Sequence, residues 1–162
     1  MDRLDYQIVE LFTRRPDSSV LSASRDLGVA RPTVQARLNR LRERGVLVDI
    51  VPKLQPGPMG YPVQAMVMLQ IDQRIGHHGL HDRLLAIPEV IDCSTMAGPW
   101  DMLLRVVAHS NTDLQRVIDR IGSLEAVGRT STSIVLRDLA RDRVLPLMDD
   151  ATRDGKSGTT PR

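Results

Sequence analysis

Leu27-Gly28-Val29-Ala30-Arg31-Pro32-Thr33-Val34-Gln35-Ala36-Arg37-Leu38-Asn39-Arg40-Leu41 carries the reading of the N-terminal part of the chain. Gly28 can take the positive φ of a tight turn. Pro32 fits the first turn of a helix, where its missing N–H costs nothing. Val34, Leu38 and Leu41 recur at i, i+4 and i+7, so one apolar stripe runs down a helix expected over 31–44, with Gly45 to stop it. Upstream, Leu4, Ile8, Leu11 and Phe12 repeat the same spacing in a first helix that Asp2 can cap, with Asp5 adding negative charge to its first turn. Pro16-Asp17-Ser18-Ser19 ends that helix and offers a new cap, and Val20, Ala23 and Leu27 line a shorter second helix. Val46–Val51 reads as a strand. Three short helices with a glycine turn before the third, then a strand, give the outline of a winged helix-turn-helix over residues 1–51.

The charges around the third helix share one sign. Arg31, Arg37, Arg40 and Arg42 have no acidic residue among them. With Val34, Leu38 and Leu41 turned inward, the outer face is expected to present Arg31, Thr33, Gln35, Arg37 and Arg40. Arginine can bond guanine through two N–H groups, glutamine can bond adenine, and a helix fits the major groove. A charged stripe on a lone helix is ordinarily a solvated face. Placed third after a glycine turn, this one reads as a surface for double-stranded DNA. Arg14 and Arg15 can hold phosphate or form a plain solvated pair. The whole-chain balance of 22 basic and 20 acidic residues, net +2, contributes nothing by itself; the placement does.

Residues 52–62, Pro52-Lys53-Leu54-Gln55-Pro56-Gly57-Pro58-Met59-Gly60-Tyr61-Pro62, are too rich in proline and glycine for helix or central strand and read as a linker. Residues 63–140 then alternate in type. Strands are expected at Val63–Asp72, Val90–Met96, Trp100–Ala108 and Val127–Leu136. Helices are expected at His78–Ile87 and from a cap at Asn111 or Thr112 through Ile121. The order β-α-β-β-α-β is the ferredoxin-like pattern, making the chain α+β. Two of the strands carry apolar residues on both faces. One face is expected under the helices and the other against a second copy of the chain. Residues 141–162 read as a tail without period, disordered from about Ala151.

Several functions are excluded by what the 162 residues lack. No apolar run approaches the roughly 18 residues of a membrane helix. The charged start is unlike a signal peptide, and Cys93 is the only cysteine, so a reducing cytoplasm is expected. No Gly-rich phosphate loop, nucleophile elbow or His-Glu-x-x-His is present; neither catalysis nor a cofactor is expected. His77, His78 and His81 could offer metal ligands, but no second cluster accompanies them and they read as exposed histidines at a loop-to-helix junction. Cys93 reads as a small buried hydrophobe. An RNA-binding sheet would need exposed stacking aromatics, and Trp100 alone stands in the second half beyond Tyr61.

The chain resembles the Lrp/AsnC family of transcription regulators. The resemblance is carried by Leu4-Asp5-Tyr6-Gln7-Ile8, Leu27-Gly28-Val29, Thr33 through Leu41, Gly45-Val46-Leu47, Ala97-Gly98-Pro99-Trp100-Asp101-Met102-Leu103-Leu104 and Arg129-Thr130-Ser131-Thr132-Ser133-Ile134-Val135-Leu136. Ala30 stands where the family usually has a serine cap, Ala23-Ser24 replaces a Leu-Ala pair, and Pro99 sits inside the turn. The resemblance implies a DNA-binding regulator whose second domain binds a small effector, commonly an amino acid, and dimerises through its sheet, with dimers joining further. It places the effector near Gly98, Trp100 and Asp101 and near Thr130, Thr132 and Ser133. The residue chemistry agrees in part: Gly98 permits close approach, Asp101 can pair with an ammonium, and the hydroxyls can bond a carboxylate. The bland alternative is a hairpin turn followed by a strand rich in β-branched residues. The rival for the whole chain is an oligomeric small-molecule-binding module or metabolic enzyme whose N-terminal helices only mediate assembly.

Overall fold

The computed structural model describes residues 1–48, 50–72, 74–75 and 79–153. The chain forms two units: Met1–Pro52 with the described residues from Ala140 on, and Lys53–Leu139.

The first unit contains α1 (Arg3–Arg14), α2 (Val20–Asp26), α3 (Arg31–Glu43) and, beyond the second unit in the chain, α6 (Leu145–Arg153). Asp2 caps α1 in a reciprocal box: its carboxylate accepts from the Asp5 N–H, and the Asp5 carboxylate accepts from the Asp2 N–H, each at 3.0 Å. Ser19 caps α2 through the Ser22 N–H. Gly28, at φ 65°, closes α2 with the N–H groups of Gly28 and Val29 on the carbonyls of Arg25 and Ser24. Ala30 leaves α3 without a side-chain cap. Ile8, Leu11, Ala23, Val34 and Leu38 form the core of this helical layer.

Two expectations fail here. The strand read at Val46–Val51 is absent among its described residues; Asp49 lies outside them. Gly45 takes φ 66°, and the Gly45 and Val46 N–H groups donate to Arg42 and Leu41, so the amides that would begin a strand cap α3 instead. The segment read as tail instead contains α6, whose Met148 is buried against Tyr6 and Leu41. Residues 154–162, within the expected disordered end, lie outside the described residues.

The second unit contains β1 (Val63–Ile71), α4 (Leu80–Leu85), β2 (Val90–Thr95), β3 (Met102–Ala108), α5 (Asn111–Gly122) and β4 (Val127–Ile134). Its antiparallel sheet has the order β2-β3-β1-β4, with both central strands supplied by β1 and β3. This is the expected ferredoxin-like topology. Ala65, Val67 and Leu69 pair with Val106, Leu104 and Met102, so these residues share the face covered by α4 and α5. Met66, Met68, Leu103 and Arg105 occupy the opposite face. Ser110, rather than Asn111 or Thr112, caps α5 through the Asp113 N–H. Much of the Pro/Gly segment packs with this unit: Tyr61 stacks on His109 at 4.0 Å, and the His109 ring meets the Gly60 carbonyl.

Candidate functional site

The surface of α3 divides into two stripes flanking its buried residues. Arg31, Gln35, Asn39 and Arg42 lie along one exposed stripe, with the Gln35 amide donating to the Asn39 carbonyl oxygen at 3.0 Å. Thr33, Arg37 and Arg40, at i, i+4 and i+7, form the other. The structure brings Arg37 and Arg40 together, but on a carboxylate rather than free in solvent. Asp5 is 0% exposed. Its two oxygens accept from Arg40 Nη2 at 2.9 and 3.1 Å, and one accepts from Arg37 Nη1 at 3.0 Å. Arg37 Nη1 also meets the Asp2 carboxylate.

Arg37 and Arg40, expected on the outer face of the helix, thus lie at its edge toward the acidic start of α1. Asp5 carries more than a helix-dipole charge. It packs beside Tyr6 and Ile8 on the inner side of α1, and its charge is acceptable there because two guanidinium groups and a backbone N–H satisfy it. Partial burial disfavours ionised Asp2. The Arg37 hydrogen bond, the Asp5 N–H and the charges of both arginines outweigh that and hold its pKa below the usual carboxylate value. The bonds to Asp2 and Asp5 raise the Arg37 pKa further. Arg14 and Arg15 are paired with Glu10 and Asp26.

The turn between β2 and β3 holds the second group of residues. Gly98 takes φ 141° and is exposed, a conformation that side chains resist. Asp101 is tied into the sheet: its Oδ2 accepts from the Ile71 N–H at 2.7 Å, its N–H donates to Leu69, and its carbonyl accepts from Met96. One carboxylate oxygen thus secures the end of β1 beside the irregularity at Gln70/Ile71. The Arg129 guanidinium lies 5.4 Å from the Trp100 ring centre and joins this turn to β4. Arg129 was not anticipated, although it opens the Thr/Ser run.

Register divides that run. Thr130 and Thr132 pair with Leu69 and Val67, on the helix-covered face. Ser133 pairs with Met66 on the other face, which Arg129 shares through Gln70. The expected hydroxyl triplet therefore does not converge on one point.

His77 and His78 lie outside the described residues, and His81 is exposed beside Asp82. Among the described residues no group of three or more His, Cys, Asp or Glu could hold a metal, and no helix is long and apolar enough to cross a membrane. Cys93 is partly buried, and that burial pushes its thiol pKa up.

Residues 1–42 match the AsnC-type helix-turn-helix domain, and residues 64–145 match the Lrp/AsnC ligand binding domain. The HTH-type transcriptional regulator FL11 of Pyrococcus furiosus is 26% identical over 91% of this chain and 97% of its own length. Among solved structures, E. coli AsnC superposes with a TM-score of 0.80 at 21% identity, covering 90% of this chain and 99% of its own, a likeness of fold. The feast or famine regulatory protein Rv3291c of Mycobacterium tuberculosis, complexed with L-methionine, has a TM-score of 0.76 at 26% identity, covering 88% of this chain and 96% of its own.

Proposed function

The chain belongs to the Lrp/AsnC family of transcription regulators, with a helix-turn-helix DNA-binding domain and a ligand-binding domain, and from that premise we propose that α3 reads an operator through Arg31, Thr33 and Gln35, with Arg37 and Arg40 serving phosphate. The observation that supports this most is the exposed stripe Arg31-Gln35-Asn39-Arg42, which offers bidentate donors and acceptors on one side of the helix. One such helix spans only a few base pairs. A two-fold dimer, joined through the open face of the sheet, would present two of them to half-sites about one helical turn apart or a multiple of it. The protein acts as a non-enzymatic regulator in the cytoplasm.

The effector is an amino acid, a class represented by the L-methionine bound to Rv3291c. Gly98, Trp100 and Arg129 form its platform, with Ser133 on the same side of the sheet; Arg129 takes the carboxylate and the second oxygen of Asp101 the ammonium. Thr130 and Thr132, on the helix-covered face, take no part in this arrangement. The test is a DNA shift assay over a salt series, paired with calorimetry on L-methionine and then the other amino acids. Arg31→Ala is expected to weaken operator binding by about 1–3 kcal/mol and to relax one base position. Asp101→Asn is expected to lose the effector response and retain DNA binding. Salt-independent binding, or an unaltered response in Asp101→Asn, contradicts the corresponding half of the reading.

A further inference from the structure

We propose that Arg37 and Arg40 form an oxyanion seat which the chain fills with its own Asp2 carboxylate, and that a phosphodiester of bound DNA takes Asp2's place. The inference rests on the reading of α3 as the DNA-binding helix.

The two acidic partners of the arginines are not equivalent. Asp5 is wholly buried, and its oxygens are committed to Arg37, Arg40 and the Asp2 N–H. It is the fixed half of the cluster and sets where both guanidinium groups stand. Asp2 is the exchangeable half. Its side chain is 50% exposed, pairs with Arg37 Nη1 and lies 4.0 Å from Arg40 Nη2. It divides its work between two oxygens: Oδ1 caps α1 through the Asp5 N–H, and Oδ2 faces the arginines. The cap can persist while the second oxygen turns away.

Charge sets up a competition for the same place. Two guanidinium groups and the Asp5 carboxylate leave one net positive charge, which Asp2 neutralises. A phosphodiester carries the same single negative charge and competes with Asp2 for it, and removing the Asp2 charge leaves that positive charge to the phosphate. Each guanidinium has five N–H donors, and the bonds described engage only Nη1 of Arg37 and Nη2 of Arg40, leaving donors for a tetrahedral anion. Such a seat weakens binding to any DNA equally, because a phosphate must first displace a tethered carboxylate. It therefore lowers non-specific affinity without touching base recognition.

The test compares Asp2→Asn, which keeps an N-cap residue of equal rank and removes the charge, with Glu43→Gln, which removes the same charge further along α3. Asp2→Asn is expected to bind operator and unrelated DNA roughly two- to fivefold more tightly, the range of an exposed ion pair. Its salt slope should be steeper by about one. Glu43→Gln should gain less, and adding Arg40→Gln to Asp2→Asn should abolish the gain. A second arm, thermal unfolding in sodium sulfate against sodium chloride of equal ionic strength, asks for free anion in place of polymer. Excess stabilisation of Asp2→Asn by sulfate supports the seat independently of DNA. A sulfate effect with no DNA binding by any variant keeps the seat and rejects the DNA reading. A DNA gain specific to Asp2→Asn without a sulfate effect assigns the seat to polymer phosphate alone. Equal gains in Asp2→Asn and Glu43→Gln with no sulfate effect overturn the proposal. Should Asp2→Asn fail to fold, Asp2→Ser retains a capping oxygen and serves the same comparison.

Discussion

The helical unit and the sheet unit use charge in opposite ways. In the sheet unit the core is wholly apolar, built by Val67, Leu69, Leu84, Leu104, Val117 and Ile121 between the sheet and its helices. Its ion pairs, Arg105 with Asp92 and Arg116 with Glu89 and Asp113, each join a partly buried side chain to one more than half exposed. In the helical unit a carboxylate lies inside. Among the described residues, the buried polar side chains are Asp5 and Ser24, both in this unit. A small helical layer has little apolar area with which to fix one helix against another. A buried charge with two fixed partners supplies angular definition that leucines do not, at the risk of a large penalty if one partner is lost.

That contrast can be broken by substitution. Asp5→Ala takes the buried carboxylate shared by Arg37 and Arg40, leaving them only Asp2, and is expected to cost about 3–5 kcal/mol in urea unfolding followed by helical circular dichroism. A loss below about 1 kcal/mol would place Asp5 with ordinary surface acids and end the comparison. In the sheet unit, the matching loss should come from an apolar residue. Leu104→Ala is expected to cost about 2–5 kcal/mol, whereas Asp92→Asn, which removes the partner of Arg105, should stay within about 1 kcal/mol. Trp100, the only tryptophan and a residue of this unit, reports its unfolding by fluorescence. Comparable costs for those two variants would show that charge organises both units.

A smaller effect sharpens the comparison from the stabilising side. Ala30→Ser supplies the missing α3 cap and should add about 0.5–2 kcal/mol to the helical unit alone, leaving the Trp100 transition unmoved. The smallest effect is acid sensitivity. Desolvation opposes ionisation of Glu89, but the Arg116 hydrogen bond and charge prevail. The His109 N–H and Arg116 hold Asp113 down, and Arg74 holds Asp72 down to about 2. A folded-state pKa below the unfolded value contributes stability that is present above the unfolded value and lost as pH falls through the folded one. Both units should therefore weaken below about pH 4–5, Asp2 acting in one and Glu89 and Asp113 in the other. Glu89→Gln should flatten the Trp100 transition's pH dependence and leave that of the helical unit unchanged.

Much of this was legible in the residues. The spacings of Leu4-Ile8-Leu11 and Val34-Leu38-Leu41 located two helices, and alternation in Val63–Ile71 located the central strand and its buried face. What escaped depended on partners distant in the chain. Asp5 shares a helix face with Ile8, but a carboxylate is expected in water unless its guanidinium partners are known. Asp101 bonds the Ile71 N–H because β1 and β3 meet in a register that no local pattern encodes. The Val46–Val51 strand was expected from composition, yet a strand requires a ladder partner, and its first amides were already committed to ending α3. Leu145 and Met148 have helical spacing, but Pro146 and the surrounding charges concealed it until Tyr6 and Leu41 supplied a surface. The division of Thr130 and Thr132 from Ser133, by contrast, follows from strand alternation alone and could have been read.

The packing of α6 on α1 makes the helical unit discontinuous, with the whole sheet unit inserted between its parts. Arg3 and Asp149 pair across 146 positions. During synthesis, α1 through α3 emerge first and wait for their last element while every strand is translated, at about 5–20 residues per second. The entropy of closing so long a loop grows with the logarithm of its free length. Once the sheet has formed, its residues no longer count as free links, and closure involves only the short connections on either side. The order of assembly is thereby coupled: a sheet that folds early hastens completion of the helices that precede it, and one that misfolds leaves Tyr6 and Leu41 without their cover.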